Sequence, residues 1–449
     1  MNMKNISRRS LLRAALLGSG GLALRSLVTG LAPRFLSSGV AEAAPNNDPT
    51  FLLLATASDG DPLNIGAPGS LVDAGLRAKY DREHPAEVRS TLADIGGASY
   101  AAAAPWAALP AALRSRLAFI HHRTNAETHP EHAKVLRIFD ELRGASGNGV
   151  EMLPSAIAAE LAASLGTIQQ EPITLGAERV TYQSRYVEQL SPIELKGLFG
   201  GTPGPLARFA TLRDSTLDKI YADVKANGTA AQRTYLDSSV TSRAQALALG
   251  EQLATDLAAI PVTNPRPFVP DLIEDYPYDP IDQILTAIAM FKYKVAPVVT
   301  IHLPFGGDNH HDANFAEETL QLQGGISMIE LIWNQLSAAG LADKTTFASL
   351  NTFGRTFDSS DGRSHNSGHH VMTMFGPHIR GGVAGGPGRA THDWAATAFS
   401  STTGKPEGAD ITADKTFAAA ARTLMRATGV PDARIDVRLP GTTVAALLT

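Results

Sequence analysis

The run Val295-Ala-Pro-Val-Val-Thr-Ile-His-Leu303 constrains the fold more than any other stretch of this chain. It is short, apolar and rich in β-branched residues, so it reads as a buried strand. Apolar residues at helical spacing follow from about Asn314 to Ala339, and a second strand-like run covers Thr345 to Phe353. The runs Phe51 to Ala57, Leu117 to Ile120 and Val371 to Phe375 read as further strands. Residues from about Pro154 to Ser164 read as a helix, as do segments near 205–226 and 229–259. Strands alternating with long helices imply a mostly parallel sheet covered on both faces. The helical stretch from about 200 to 260 is placed as an insertion or cap. The Pro-, Asp- and Tyr-rich stretch Pro261 to Pro280 is expected to be an irregular connection. Residues 381–388 carry five glycines without a Walker Lys-Ser/Thr, which suggests a surface hairpin or loop, not a phosphate cradle.

The first residues have a different character. Lys4, Arg8 and Arg9 form a charged start, with Ser10-Leu11-Leu12 directly after the paired arginines. A moderately apolar, Gly- and Ala-rich stretch runs from about Ala14 to Ala32, and Ala41-Glu42-Ala43 supplies a small-residue cleavage site. That order marks a cleaved targeting segment. The twin arginines point to the Tat route, so residues 1–43 are expected to act as a signal peptide and 44–449 to form one α/β domain. Arg25 and several glycines interrupt the apolar stretch, whereas a membrane span needs about 20 mostly apolar residues. The Tat translocase is therefore the expected partner during export, the destination periplasmic or extracellular, and no stable membrane span is anticipated.

Composition narrows the chemistry. The net charge is −5 and no basic block follows the leader, which argues against nucleic-acid binding. The chain has no cysteine, so disulfides, thiolate catalysis and Cys-ligated metals are excluded. Any metal must be held by His, Asp, Glu or hydroxyl oxygen.

The 13 histidines are clustered, four of them between His121 and His132 and eight between His302 and His392. In open α/β sheets ligands bind beyond the carboxyl ends of strands. Four stretches lie there. Ser58-Asp59-Gly60-Asp61-Pro62-Leu63-Asn64 offers oxygen ligands, and is equally an ordinary solvated turn. His121 to His132 contains Thr128 at an N-cap position with Glu131 three residues on, a capping-box pattern that opens a helix near Ala133. A hydroxyl there is a cap, an anion binder or a nucleophile. His129 and His132, at i and i+3, would share a helical face. Gly306-Gly307-Asp308-Asn309-His310-His311-Asp312 follows the strongest strand, and Asp308 and His310 are close enough in sequence to bind one ion. Last come Thr352-Phe353-Gly354-Arg355-Thr356 and Asp361 to His370. Arg355 suits bidentate capture of an oxyanion, and His365 and His369 stand at i and i+4.

These stretches resemble the signatures of the DUF1501 family, named for a domain of unknown function and related to the alkaline phosphatase and sulfatase superfamily. Asp61-Pro-Leu-Asn64 is similar to its Asp-Gly-Leu-Asn, Thr128-His129 to its Ser-His, and Asp308-Asn-His310 to its Asp-Thr-His. Thr352-Phe-Gly-Arg-Thr356 is similar to Glu-Phe-Gly-Arg-Thr, and Gly362-Arg-Ser-His365 to Gly-Arg-Asp-His. The resemblance implies a three-layer α/β/α fold of alkaline phosphatase type. It also implies hydrolysis of a phosphate or sulfate ester with one or two zinc-like divalent ions. Asp61 and Thr128 would hold one ion, and Asp308, His310 and His365 the other, with His129 and His369 as further ligands. Thr128 would be nucleophile or anion binder, and Arg355 would hold non-bridging oxygens. The substrate would be a small-molecule ester. Two family carboxylates are missing, replaced by Thr352 and Ser364, and Pro62 stands where the family has Gly. Their loss leaves cation repulsion less neutralised and opens a second reading, a catalytically degenerate protein that binds an envelope ligand. A third reading, an exported oxidoreductase with iron or copper on the histidines, has no dinucleotide, haem or Cys signature behind it.

Overall fold

A computed structural model describes residues 48–61, 63–142, 151–176, 179–187, 189–192, 210–230, 233, 255, 279–303, 309–358 and 362–449. The signal segment, Asp308, most of the 229–259 segment and most of the connection after it lie outside these residues.

An eight-stranded sheet organises the chain. Its strands are β1 (Phe51–Ala57), β2 (Ala118–His122), β3 (Ile173–Leu175), β4 (Gln189–Leu190), β5 (Val298–Ile301), β6 (Thr345–Asn351), β7 (His370–Phe375) and β8 (Gly382–Ala384). The spatial order is β8-β2-β7-β6-β1-β5-β3-β4. All neighbours are parallel except β7, which runs antiparallel to both β6 and β2. The expected mostly parallel α/β sheet is therefore present.

The longest described helices are α1 (Leu153–Leu165), α2 (Ala210–Asn227), α3 (Pro280–Lys292), α4 (Ala316–Ala338) and α5 (Thr416–Ala427). Alternation along β1 sets the layers. Phe51, Leu53 and Ala55 pack with Ile284 and Ile288 of α3 and with Ile329 and Ile332 of α4. Leu52 and Leu54 point the other way, against Ile157 and Leu161 of α1 and Leu424 of α5. A strand buried at every position and apolar at all but Thr56 is what burial on both faces favours, and each fully buried leucine contributes about 1.5–3 kcal/mol. No described helix is long and apolar enough to cross a membrane.

The Gly-rich stretch is in part the expected hairpin, because Pro387–Arg389 pairs antiparallel with Trp394–Ala396, while Gly382–Ala384 adds to the sheet beside β2. Glycine permits this: a Cβ on Gly96 would sit 1.8 Å from the Gly381 carbonyl oxygen, so the two backbones meet where side chains would clash. Ala101 to Ala104 ends the second strand of a hairpin, Ser90–Ile95 with Ala98–Ala103, and opens a short helix. Pro280 begins α3, with the Asp279 carboxylate accepting from the Ile281 N–H at 2.8 Å. Pro is compatible with a first helical turn, which needs no N–H there.

Candidate metal centre at the carboxyl edge of the sheet

Three imidazoles converge beyond the carboxyl ends of the strands: His129 after β2, His310 after β5 and His365 before β7. Each is half-buried, and one ligand atom from each lies within 4.8 Å of the others, a spacing that fits one metal ion. The Nε2 atoms of His310 and His365 are 3.0 Å apart. The tautomers follow from the carbonyls behind the rings. His129 Nδ1 donates to Ser58 O at 2.8 Å, and His365 Nδ1 donates to Glu127 O at 2.6 Å. A carbonyl only accepts, so both rings carry hydrogen on Nδ1 and present the Nε2 lone pair. Imidazole ligands oriented by a second hydrogen bond are the usual arrangement at metal sites. The His365 ring also stacks on Phe353, with centroids 4.0 Å apart, and His129 meets the same ring edge-on. Burial lowers the His365 pKa, reinforced by the charge of Arg355, while the bond to Glu127 O opposes it. A neutral imidazole is the form that ligates.

Among the residues singled out from sequence, His129, His310 and His365 come together. Asp308 lies outside the described residues. Asp61 and His369 fall in a different, fully buried cluster. Asp61 Oδ1 accepts the Leu63 N–H at 2.7 Å, and Oδ2 faces His370 Nε2 at 3.3 Å. His370 Nδ1 in turn meets His122 Nε2 at 3.0 Å. Alongside, Asn64 Nδ2 meets His369 Nδ1 at 3.1 Å, and His369 Nε2 meets His121 Nδ1 at 2.9 Å. The i and i+4 spacing of His365 and His369 therefore does not put them on one helical face. His365–Asn366 pairs as a strand with Gly354–Arg355, and β7 begins at His370. Desolvation lowers the His121 pKa to about 4 and holds His122 and His369 well below the usual histidine range.

His132 parts from His129 in the same way. It turns inward, its Nε2 2.6 Å from Thr56 Oγ1, and burial lowers its pKa to about 3. The helix expected there is a single 3-10 turn, His129–Glu131, and five α-helical residues, His132–Leu136. It stops because Ile138, Phe139 and Asp140 all take positive φ. Glu131 does reach back as the capping pattern requires, its carboxylate accepting from the N–H groups of Glu127 and Thr128. Thr128 itself is exposed at the rim, one residue from the carbonyl that orients His365.

Arg355 is fully buried. Its Nη2 donates to Asp59 O, its Nη1 to Arg363 O at 3.5 Å, and its guanidinium lies 5.4 Å from the centre of the Phe353 ring. In this arrangement it braces backbone beneath the histidines. Asp59, one of the acidic residues of the first candidate stretch, has its Oδ1 3.9 Å from His129 Nδ1, whereas the buried network of His84, Glu318 and Arg363 was not foreseen from sequence. The ion-pairing residue types were visible in sequence, but their partners are too far along the chain for spacing to connect them.

Comparison with known family models, curated proteins and solved structures returned no match.

Proposed function

We propose that this chain is an exported, metal-dependent hydrolase of phosphate or sulfate esters, built on a sheet of alkaline phosphatase type. One observation carries the reading: three imidazoles from three separate segments each bring a ring nitrogen within 4.8 Å of the others, two of them with tautomers set by backbone carbonyls. The donor set fits a borderline cation such as Zn²⁺, which accepts three histidines and keeps a fourth position open in catalytic sites. Such an ion supplies Lewis acidity and lowers the pKa of water at that position. His129, His310 and His365 would hold it, Ser58 and Glu127 fix two of the rings through their carbonyls, and the Phe353 ring packs against His365 and His129. Thr128, exposed beside Glu127, would meet an ester as nucleophile or anion binder. Asp61 is engaged by Leu63 and faces His370, so a single ion suits the described residues better than a close pair.

The test is hydrolysis of p-nitrophenyl phosphate and p-nitrophenyl sulfate by zinc-loaded and metal-stripped protein. Turnover of either ester that needs the metal and is lost in His310→Ala supports the reading. Metal binding without turnover of any ester supports the second reading, a ligand-binding protein on the same scaffold. Thr352 and Ser364, which stand where related carboxylates would, favour that alternative. Thr352 is buried with its hydroxyl 3.5 Å from Ala57 O, and Ser364 is exposed.

A further inference from the structure

The three histidines sit on a frame made by two buried arginines. Arg363 lies two residues before His365, and its N–H donates to Asn309 O at 3.0 Å, one residue from His310. The approach is close: a Cβ on Gly362 would sit 2.2 Å from His310 O. Arg355 continues the frame from Arg363 O to Asp59 O. Asp59 adjoins Ser58, the residue whose carbonyl orients His129. All three ligand-bearing segments are thus tied together, two of them through the Arg363 main-chain N–H and the third through the Arg355 guanidinium.

The frame is anchored on α4. Glu318, fully buried, accepts from Arg363 Nε at 2.8 Å and Nη2 at 3.3 Å, a bidentate pairing. His84 backs the same carboxylate, its Nε2 2.8 Å from Glu318 Oε1 and its Nδ1 2.8 Å from Tyr80 O. Arg363 Nη1 also donates to Phe357 O at 3.0 Å, and its guanidinium lies 4.1 Å from the centre of the Phe315 ring. Burial would raise the Glu318 pKa, but the Arg363 charge and the His84 hydrogen bond hold it at about 2. A buried ion network of this kind gives little net stability over an apolar replacement, because desolvation offsets the attraction. What it does give is a fixed direction, since a planar fork accepts a carboxylate in few orientations.

We infer that Glu318, through Arg363 and Arg355, is a positioning residue that presets the metal geometry of His129, His310 and His365. This rests on the reading of those histidines as a metal centre. Groups hydrogen-bonded directly to metal ligands typically contribute about 10–100-fold in metal affinity; Glu318 acts one step further out, through Arg363, so that range is its upper bound.

The test uses zinc titration and the visible spectrum of the cobalt-substituted full-length protein. Glu318→Gln keeps the shape and removes the charge. The double variant Glu318→Leu, Arg363→Met removes both charges together, so no lone buried charge is left to unfold the chain. We expect zinc affinity to fall in both variants, by up to about 10–100-fold, with an altered cobalt spectrum at saturation in folded protein. A role confined to stability would move the melting temperature and leave that spectrum unchanged. An unchanged affinity and spectrum in the folded double variant overturns the inference while leaving the metal centre intact. A wild-type chain that binds neither zinc nor cobalt overturns the metal centre itself, and the inference with it.

Discussion

The buried histidines make the fold acid-labile, and His132 isolates the effect. Its folded pKa is about 3 against about 6.5 in an unfolded chain, because burial penalises the imidazolium. Above pH 6.5 the ring is neutral in both states and stability is unaffected. Below that, the unfolded chain takes up a proton that the folded chain cannot, so stability falls as pH drops from 6.5 toward 3. At pH 5 the loss is about 2 kcal/mol for this one group, from 1.36 kcal/mol per pKa unit. His121, held at about 4, adds a similar amount. Together they remove about 4 kcal/mol, a large part of the 5–15 kcal/mol typical of a folded domain. His132→Gln should be less stable than wild type at pH 7, since the contact with Thr56 is altered. It should then lose about 2 kcal/mol less than wild type between pH 7 and pH 5. Urea denaturation of metal-stripped protein at both pH values measures this. Parallel pH dependence in the two proteins would refute the assignment of His132 as a buried neutral imidazole.

Gly362→Ala should cost at least about 1–3 kcal/mol in urea denaturation and weaken zinc binding. The residue takes φ +85°, and the added methyl would strike the His310 carbonyl oxygen. Unaltered zinc affinity would mean that the close approach of these two segments does not shape the site. Arg8→Lys with Arg9→Lys should leave the chain in the cytoplasm, followed by fractionation and loss of signal cleavage. Normal export of that variant would contradict the Tat assignment.

Much of the scaffold was legible because it rests on local pattern. β1, β5, α4 and β6 coincide with apolar runs whose lengths and periods are distinctive. β7 was visible as a strand, but its antiparallel direction was not, since direction depends on the path taken by residues 352–369. β8 was hard to see because the glycines flanking Val383 break any strand pattern, and pairing with β2 holds the segment extended. At the site, residue types were informative and groupings were not. The histidines after successive strands were found, yet spacing within one segment suggested the wrong companions. His129 pairs with neither His132 nor His369, but with residues that follow and precede other strands. The helical i and i+4 argument failed at His365 and His369 because a turn at Ser367-Gly368 separates them.

The most direct test of the central claim is zinc titration of metal-stripped protein by calorimetry, with His310→Ala and His369→Gln beside wild type. Wild type should bind one tight equivalent, His310→Ala none, and His369→Gln still one, because His369 belongs to the buried cluster with Asn64 and His121. Absence of tight binding in wild type, or loss in His369→Gln with retention in His310→Ala, would contradict the account.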